Sequence, residues 1–352
     1  MPLDRLVIYH VKAPLARPSP HGGGALQVDS FIALAAFADG SCRVGESTPV
    51  PGQGHETPEL LTREYGLLAR HGHMKAFLDR NHCHPLVTLP ILTCLDPTLG
   101  KPVGGQVRVC PLLEWNDPLE IAERVALLAG QGHKVIRINI TRDVRDTRAI
   151  VRETIRAGHQ CGVRFRYDAH GSLDLAGATA LVRWLDDATT ELLDQPFPVA
   201  AWRQMASLYE SCPIPLMLDE SIVDASHVFL AADCADFIKL TLARNGSPSR
   251  LLELIRQARE IGLKIILGNG VQGMIGCWLE GQVQIMAGLD TPGEMSAFRE
   301  LRDSYPAGLV EATVTGFTAK ADLTWPAVES ALKAHCLTEY RIPSASVSAS
   351  CA

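Results

Sequence analysis

An α/β architecture is predicted for this chain, a small α+β unit leading into a (β/α) barrel, and three observations carry the prediction. From about residue 106 onward, apolar runs that end in polar residues alternate with helix-like stretches through at least seven cycles. The runs recur roughly every 22–28 residues, the length of a strand, its loop and a covering helix. Before residue 106 that rhythm is absent, and short alternating segments take its place.

The elements follow in chain order. "LDRLVIYHVKAP", "VDSFIALAAFAD" and "GSCRVGEST" read as an antiparallel meander with a turn at "ADGS". "TPELLTREYGLLARHGHMKAFLDRN" reads as one or two helices. The barrel runs are "QVRVCPLL", "KVIRINI", "VRFRYDAHG", "TELLDQPFP", "IPLMLDES", "DFIKLTLAR" and "LKIILGNG". Between them lie amphipathic stretches such as "DPLEIAERVALLAGQG" and "SPSRLLELIRQAREIG", which open on Asp or Ser-Pro and close on Gly, as helices do. Seven or more such units in succession favour a closed barrel over an open doubly wound sheet. No Gly-x-Gly-x-x-Gly follows the first strand, so dinucleotide binding gains no support. The expected division is residues 1–105 and 106–305, with 306–352 returning to pack on the first unit and "RIPSASVSASCA" as a mobile tail.

Composition narrows the function classes. The chain has 352 residues, 47% hydrophobic and 20% charged, with ample material for a core. A net charge of -6 and a pI near 6.1 leave no basic footprint for nucleic acid or an anionic membrane. The start "MPLDRLVIYHVKA" does not read as a signal peptide, and no stretch is apolar for the ~18 residues a membrane span needs. The ten cysteines show no paired spacing, so reduced thiols in a cytoplasmic protein are expected.

Polar residues gather at the carboxyl ends of the barrel runs, where barrel enzymes build their sites. They are Asp168 in "YDAHG", Asp194 in "LLDQP", Asp219 and Glu220 in "LMLDES", and Lys239 in "FIKLT". Adjacent strands of a closed barrel bring Asp168, Asp194 and Asp219 around one point. Carboxylates that close oppose one another unless a cation lies between them, and a hard divalent ion, most simply Mg²⁺, answers that. The plain alternative is that each Asp caps a helix or shapes a turn.

"DAHG", "LLDQP", "LMLDES" and "FIKLTLARNG" stand in the order and spacing of the enolase superfamily, and the chain resembles its muconate-lactonizing (muconate cycloisomerase-like) subgroup within the mandelate racemase family. "GESTPVPG" matches the capping domain, and the resemblance covers nearly the whole chain. It implies an α+β capping domain over a modified (β/α)7β TIM-type barrel. It also implies Mg²⁺, with Mn²⁺ as a substitute, stabilising the enediolate formed when a base removes the proton next to a carboxylate. Asp168, Asp194 and Asp219 match the metal ligands, Asp194 standing where the family usually has the longer Glu. Glu220 matches the acidic partner after the third ligand, and Glu294 in "TPGEMSA" a residue at the last strand's end.

The second run holds the main departure. Ile136, Ile138 and Ile140 form one face of "KVIRINI", and Arg137 and Asn139 the other. The family usually has Lys-x-Lys where this chain has Arg137 and Asn139. Arg137 keeps a positive charge for a substrate carboxylate, whereas Asn139 accepts no proton at neutral pH. The alternative for this pair is a polar plug held by neighbouring strands. Lys239 is then the single base, its pKa expected to be pushed down by Mg²⁺ and Arg137. His170 is a candidate acid. One base argues for a lyase, most simply a dehydratase acting on a small carboxylic acid. The runner-up is a cycloisomerase or racemase/epimerase of the same superfamily. A Schiff-base aldolase using Lys239 and a non-catalytic relative are the other readings. Homo-oligomeric assembly is expected from the family.

Further candidates are His21 in the glycine-rich "SPHGGGAL", read as a loop over the barrel mouth, and Asn269 and Gln272 in "GNGVQGMIG" at the seventh run's end. His71, His73, His82, Cys83 and His84 suggest zinc, but an i, i+2 pair on a helix shares no face, and the region reads as helix.

Overall fold

The computed structural model describes residues 2–16, 26–49, 55–113, 118–140, 144–268, 273–295, 308–321 and 323–343. The expected site residues His21, Asn269 and Gln272, and the expected tail beyond 343, lie outside them.

The chain opens with the meander β1 (Leu3–Pro14), β2 (Gln27–Phe37) and β3 (Cys42–Ser47). Its alternation sorts two faces: Leu6, Ile8 and Phe31 pack with the helices that follow, while Val7, Tyr9, Val11 and Ile32 belong to the main core. Helix α1 (Pro58–His71) starts where the Thr57 hydroxyl accepts from the Leu60 N–H, and it stops at Gly72 with φ 70. That left-handed stop separates His71 from His73, which precedes α2 (Met74–Arg80). Of the one or two helices expected here two form, and His82, Cys83 and His84 fall in the turn before α3 (Pro85–Leu95) rather than on a helix.

The first barrel run divides. Strand β4 (Gly105–Arg108) pairs antiparallel outside the barrel, because Pro111 has no N–H with which to extend a ladder. Beyond it, α4 (Ile121–Gly130) leads to β5 (Val135–Asn139), α5 (Val144–Cys161) to β6 (Arg164–Asp168), and α6 (Leu175–Val182) to β7 (Thr190–Asp194). Then α7 (Trp202–Tyr209) leads to β8 (Leu216–Leu218), and α8 (Ala225–Ala231) to β9 (Phe237–Leu240). The short α9 (Leu242–Asn245) and the longer α10 (Pro248–Glu260) precede β10 (Lys264–Leu267) and α11 (Met274–Met286). Strands β5 to β10 form one parallel sheet in sequential order. Single bridges close it: Leu112 to Arg137 on one edge, Glu294 to Gly268 on the other, and Val109 to Gly293 between them.

The chain ends with β11 (Val310–Thr313) and β12 (Gly316–Ala319), which pair with β4, and with α12 (Trp325–Lys333) and β13 (Cys336–Ile342). Strand β13 pairs antiparallel with β1, carrying the end of the chain back onto the meander.

Within the barrel the outward residues Ile136, Ile138, Phe165, Tyr167, Leu193, Leu218, Ile238 and Leu240 join the main core under the helices. Inward, Leu192, Met217, Phe237 and Ile266 make a separate apolar cluster. Two residues further along each of those strands, on the same face, stand Asp194, Asp219, Lys239 and Gly268. The charged ring therefore sits one pleat above an apolar floor.

Candidate active site

The ring brings together the expected residues of four neighbouring strands. Asp168, Asp194, Asp219, Lys239 and Glu294 are all buried. Lys239 Nζ lies 2.7 Å from Asp219 Oδ2 and 2.9 Å from Glu294 Oε2. Glu294 reaches this point because the closing segment 293–295 hydrogen-bonds Leu267 O through the Glu294 N–H at 2.7 Å. Gly268 leaves the room for this pair: a Cβ there would stand 2.8 Å from Lys239 Cε and 3.0 Å from Glu294 Cβ.

Arg137 answers the question raised by "KVIRINI". Its side chain is 17% exposed, it pairs through Nη2 with Asp168 Oδ2, and its Nη1 is 3.5 Å from Glu294 Oε2. Asn139 neighbours Asp168 in the strand register, with a buried Oδ1 that has no hydrogen-bond partner among the described residues.

His170 is held in the left-handed region at φ 46, where its N–H donates to Asp168 Oδ1 at 2.8 Å. Its Nδ1 stands 3.4 Å from Asp168 Oδ1 and 3.5 Å from Glu220 Oε1. Gly171 follows at φ 64, and a Cβ there would meet Phe197 O at 3.0 Å. His170 and Glu220 are each 39% exposed, forming the open rim of the ring.

Charge states follow from these contacts. Burial pulls the Lys239 pKa down, but Asp219 and Glu294 more than offset it and hold the amine well above its ordinary value. Arg137 acts in the lowering direction expected from the sequence, while Asp219 and Glu294, which stand against Lys239 itself, act against it. For Asp219, burial opposes ionisation, yet Lys239 and Arg244 bring its pKa down to about 2. Glu294 is lowered for the same reason by Lys239, Arg137 and Arg166, against the effect of burial. Asp194 goes the other way: burial, then Asp168 and Asp219, hold its pKa well above the usual carboxylate range. The hydrogen bond toward Glu220 raises His170 against the effect of burial.

Several members of the cluster were not anticipated. Arg166, fully buried, pairs with Glu191 at 2.5 Å and with Glu294 Oε1 at 3.0 Å. It lies two residues before Asp168 in "RFRYD", so the same period-two reading reaches it. Arg244 donates to Asp219 Oδ1 at 2.7 Å and to Lys239 O at 3.1 Å. It sits on α9, past the strand, where no strand period points to it. Gln195 accepts from the Asp219 N–H at 2.9 Å and donates to Ser221 Oγ at 2.8 Å, tying the ends of β7 and β8. Glu280 of α11 accepts from the Leu242 N–H at 2.9 Å and so anchors the start of α9.

The donor chemistry fits a hard divalent cation. Asp168, Asp194 and Asp219 stand at the ends of adjacent strands, and both Asp194 oxygens are buried without a hydrogen-bond partner among the described residues. As they stand, Asp168 and Asp219 are turned to Arg137, Lys239 and Arg244, and among the described residues no three acidic, His or Cys side chains gather at metal-holding spacing.

Residues 120–314 match the model of the enolase C-terminal domain-like family. Among characterised proteins, the hydrophobic dipeptide epimerase of Roseobacter litoralis is 28% identical over 175 residues, 49% of this chain and 48% of that protein. The aligned region thus spans about half the length of that relative. Muconate cycloisomerase 1 of Pseudomonas putida is 27% identical over 323 residues, 78% of this chain and 80% of that protein. The dipeptide epimerase of Enterococcus faecalis, solved with Mg and the dipeptide L-Leu-L-Tyr, superposes with a TM-score of 0.77 at 16% identity, covering 92% of this chain and 98% of that one. The capping meander and barrel thus follow the enolase-superfamily fold.

Proposed function

This chain belongs to the enolase C-terminal domain-like family, and we propose that it is an isomerase-type enzyme that removes and returns the proton α to the carboxylate of a small acid. The observation that carries the reading is Lys239 Nζ, buried at the carboxyl end of β9 and held by Asp219 at 2.7 Å and Glu294 at 2.9 Å in the one charged ring of the barrel mouth. Dipeptides are the substrate class, following the names of the epimerase relatives. Residues 1–105 with 306–352 serve as the capping domain over the 106–305 barrel, and the enzyme works in the cytoplasm as a homo-oligomer on a small carboxylate alone.

Asp168, Asp194 and Asp219 would hold a divalent cation, Mg²⁺ or Mn²⁺, which when bound supplies positive charge for the developing substrate carboxylate and offsets the field that keeps Lys239 protonated. Lys239 exchanges the α-proton from one face, and Glu294 and Asp219 hold its amine in line. Arg137 receives the substrate carboxylate. Strand β5 lies opposite β9 around the eight-segment ring, and its Asn139 accepts no proton at neutral pH. His170 at the end of the neighbouring β6, steadied by Glu220, is among the described residues the proton carrier on that side.

A second reading keeps weight because of Asn139. With Lys239 acting alone, the same removal leads to a cycloisomerase or to a lyase that expels a β-hydroxyl. Proton NMR in D₂O with Mg²⁺, over dipeptides, N-acyl amino acids and β-hydroxy acids, separates the readings. Deuterium entering with inversion supports epimerisation, while retention or loss of water supports the single-base reactions. No exchange with any acid overturns both.

A further inference from the structure

We propose that Arg137 is a displaceable counter-cation of the acidic ring: its pairing with Asp168 and the binding of a divalent cation at Asp168, Asp194 and Asp219 are alternatives, so cation binding releases Arg137 to the substrate. The inference rests on the proposed cation site and deepens it.

The ring as it stands is unevenly paired. Asp168, Asp194, Asp219, Glu294 and Glu191 face Arg137, Arg166, Lys239 and Arg244. Four cations therefore meet five carboxylates, yet Asp194 receives none of them: both its oxygens are buried without a hydrogen-bond partner among the described residues. Arg137 is itself half-satisfied. Its Nη2 is committed to Asp168 Oδ2 and its Nη1 stands 3.5 Å from Glu294 Oε2, while its Nε is buried with no hydrogen-bond partner among the described residues. Each such unpaired buried group is left without the hydrogen bonds it had in water. An arrangement that puts positive charge on Asp194 and gives the whole guanidinium fork a bidentate partner removes all of these deficits together. A divalent ion supplies the first, and a substrate carboxylate supplies the second.

The other pairs leave less to exchange. Arg244 is fixed by Asp219 Oδ1 and by the carbonyls of Ile222 and Lys239. Arg166, fully buried, is locked between Glu191, Glu294 and Pro292 O. Of these three guanidinium groups Arg137 contacts a proposed ligand with, among the described residues, no backbone carbonyl holding it, and its 17% exposure leaves it a path toward the mouth.

Direct Mn²⁺ binding, by calorimetry and by the paramagnetic signal of free Mn²⁺, tests this without turnover. Arg137→Gln is expected to bind Mn²⁺ about tenfold tighter than wild type, a coupling of ordinary size for two competing interactions. Arg137→Lys, which keeps the charge, is expected to stay close to wild type, and thermal unfolding verifies that each variant folds. Equal or weaker Mn²⁺ binding by folded Arg137→Gln overturns the proposal and makes Arg137 a residue that holds Asp168 as a ligand. Absence of Mn²⁺ binding in both wild type and variant also overturns it. Tighter binding by Arg137→Gln with no proton exchange in wild type leaves this inference standing and removes the proposed reaction.

Discussion

Two rungs of the barrel lumen, one pleat apart on the same strands, differ in almost everything but direction. The lower rung presents Leu192, Met217, Phe237 and Ile266, packed on one another. The upper rung presents Asp194, Asp219, Lys239 and Gly268. The lower rung excludes water from beneath the charges, so interactions above it act at low effective dielectric and shift pKa values strongly. Arg137 and Arg166, in register on β5 and β6, are the exceptions in the lower layer, and their charges are met by Asp168, Glu191 and Glu294. One period-two pattern serves two ends, stability below and, in the proposed reading, proton exchange above. The two are separable by mutation.

Lys239→Met strikes the upper rung with the largest expected effect. Loss of a positioned acid–base group lowers proton exchange by about 10²–10⁴-fold. The fold should survive, because Asp219 keeps Arg244 and Glu294 keeps Arg166. Phe237→Ala one pleat below is the reciprocal test: unfolding free energy should fall by about 3–5 kcal/mol in a denaturant titration. If instead Lys239→Met unfolds the protein as readily, the rungs are not separable and the comparison breaks.

Acids without a cation partner sharpen it further. Glu46 of β3 is buried against α11, where its Oε2 accepts from the Gly276 N–H at 2.6 Å. Burial raises its pKa from 4.5 to about 7, against the pull of that bond. A raised native pKa means that its contribution to stability is complete below 4.5 and is lost as pH climbs through about 7. Asp219, lowered from 3.8 to about 2, behaves oppositely: its contribution is present above 3.8 and fades as pH falls through about 2. Glu46→Gln should therefore flatten the stability curve between pH 4.5 and 7, a span of roughly 3 kcal/mol in wild type. An unchanged pH slope in the variant would assign that loss elsewhere. The smallest effect is expected at Gly268→Ala, whose Cβ would press on Lys239 Cε and Glu294 Cβ. Exchange should fall about tenfold with little change in melting temperature, as expected for a displaced catalytic group.

Much of this was legible in the sequence for a physical reason. Strand ends in a parallel barrel are spaced by helices of regular length, so Asp168, Asp194, Asp219 and Lys239 could be assigned to one mouth before any coordinates. The inward face of "KVIRINI" was legible in the same way, since Ile136, Ile138 and Ile140 all enter the core under the helices. What escaped depends on contacts far apart in sequence. Arg244 reaches Asp219 from a short helix, and Glu280 anchors the start of that helix from α11. Pro111 broke the first run through local backbone chemistry that periodicity does not weigh, and Gly72 decided for two helices over one before His73. Two carboxylates, Asp219 and Glu294, stand within 3 Å of the Lys239 amine and oppose the lowering expected from Arg137 and a cation.

The central claim is that Lys239 exchanges a substrate α-proton at the acidic ring. The most direct measurement is proton NMR of wild type and Lys239→Met in D₂O with Mg²⁺, following the α-proton signal of dipeptides and N-acyl amino acids. Loss of that signal in wild type, abolished both by EDTA and by Lys239→Met, is the predicted result. Exchange that continues undiminished in folded Lys239→Met would contradict the claim and move the proton to another residue.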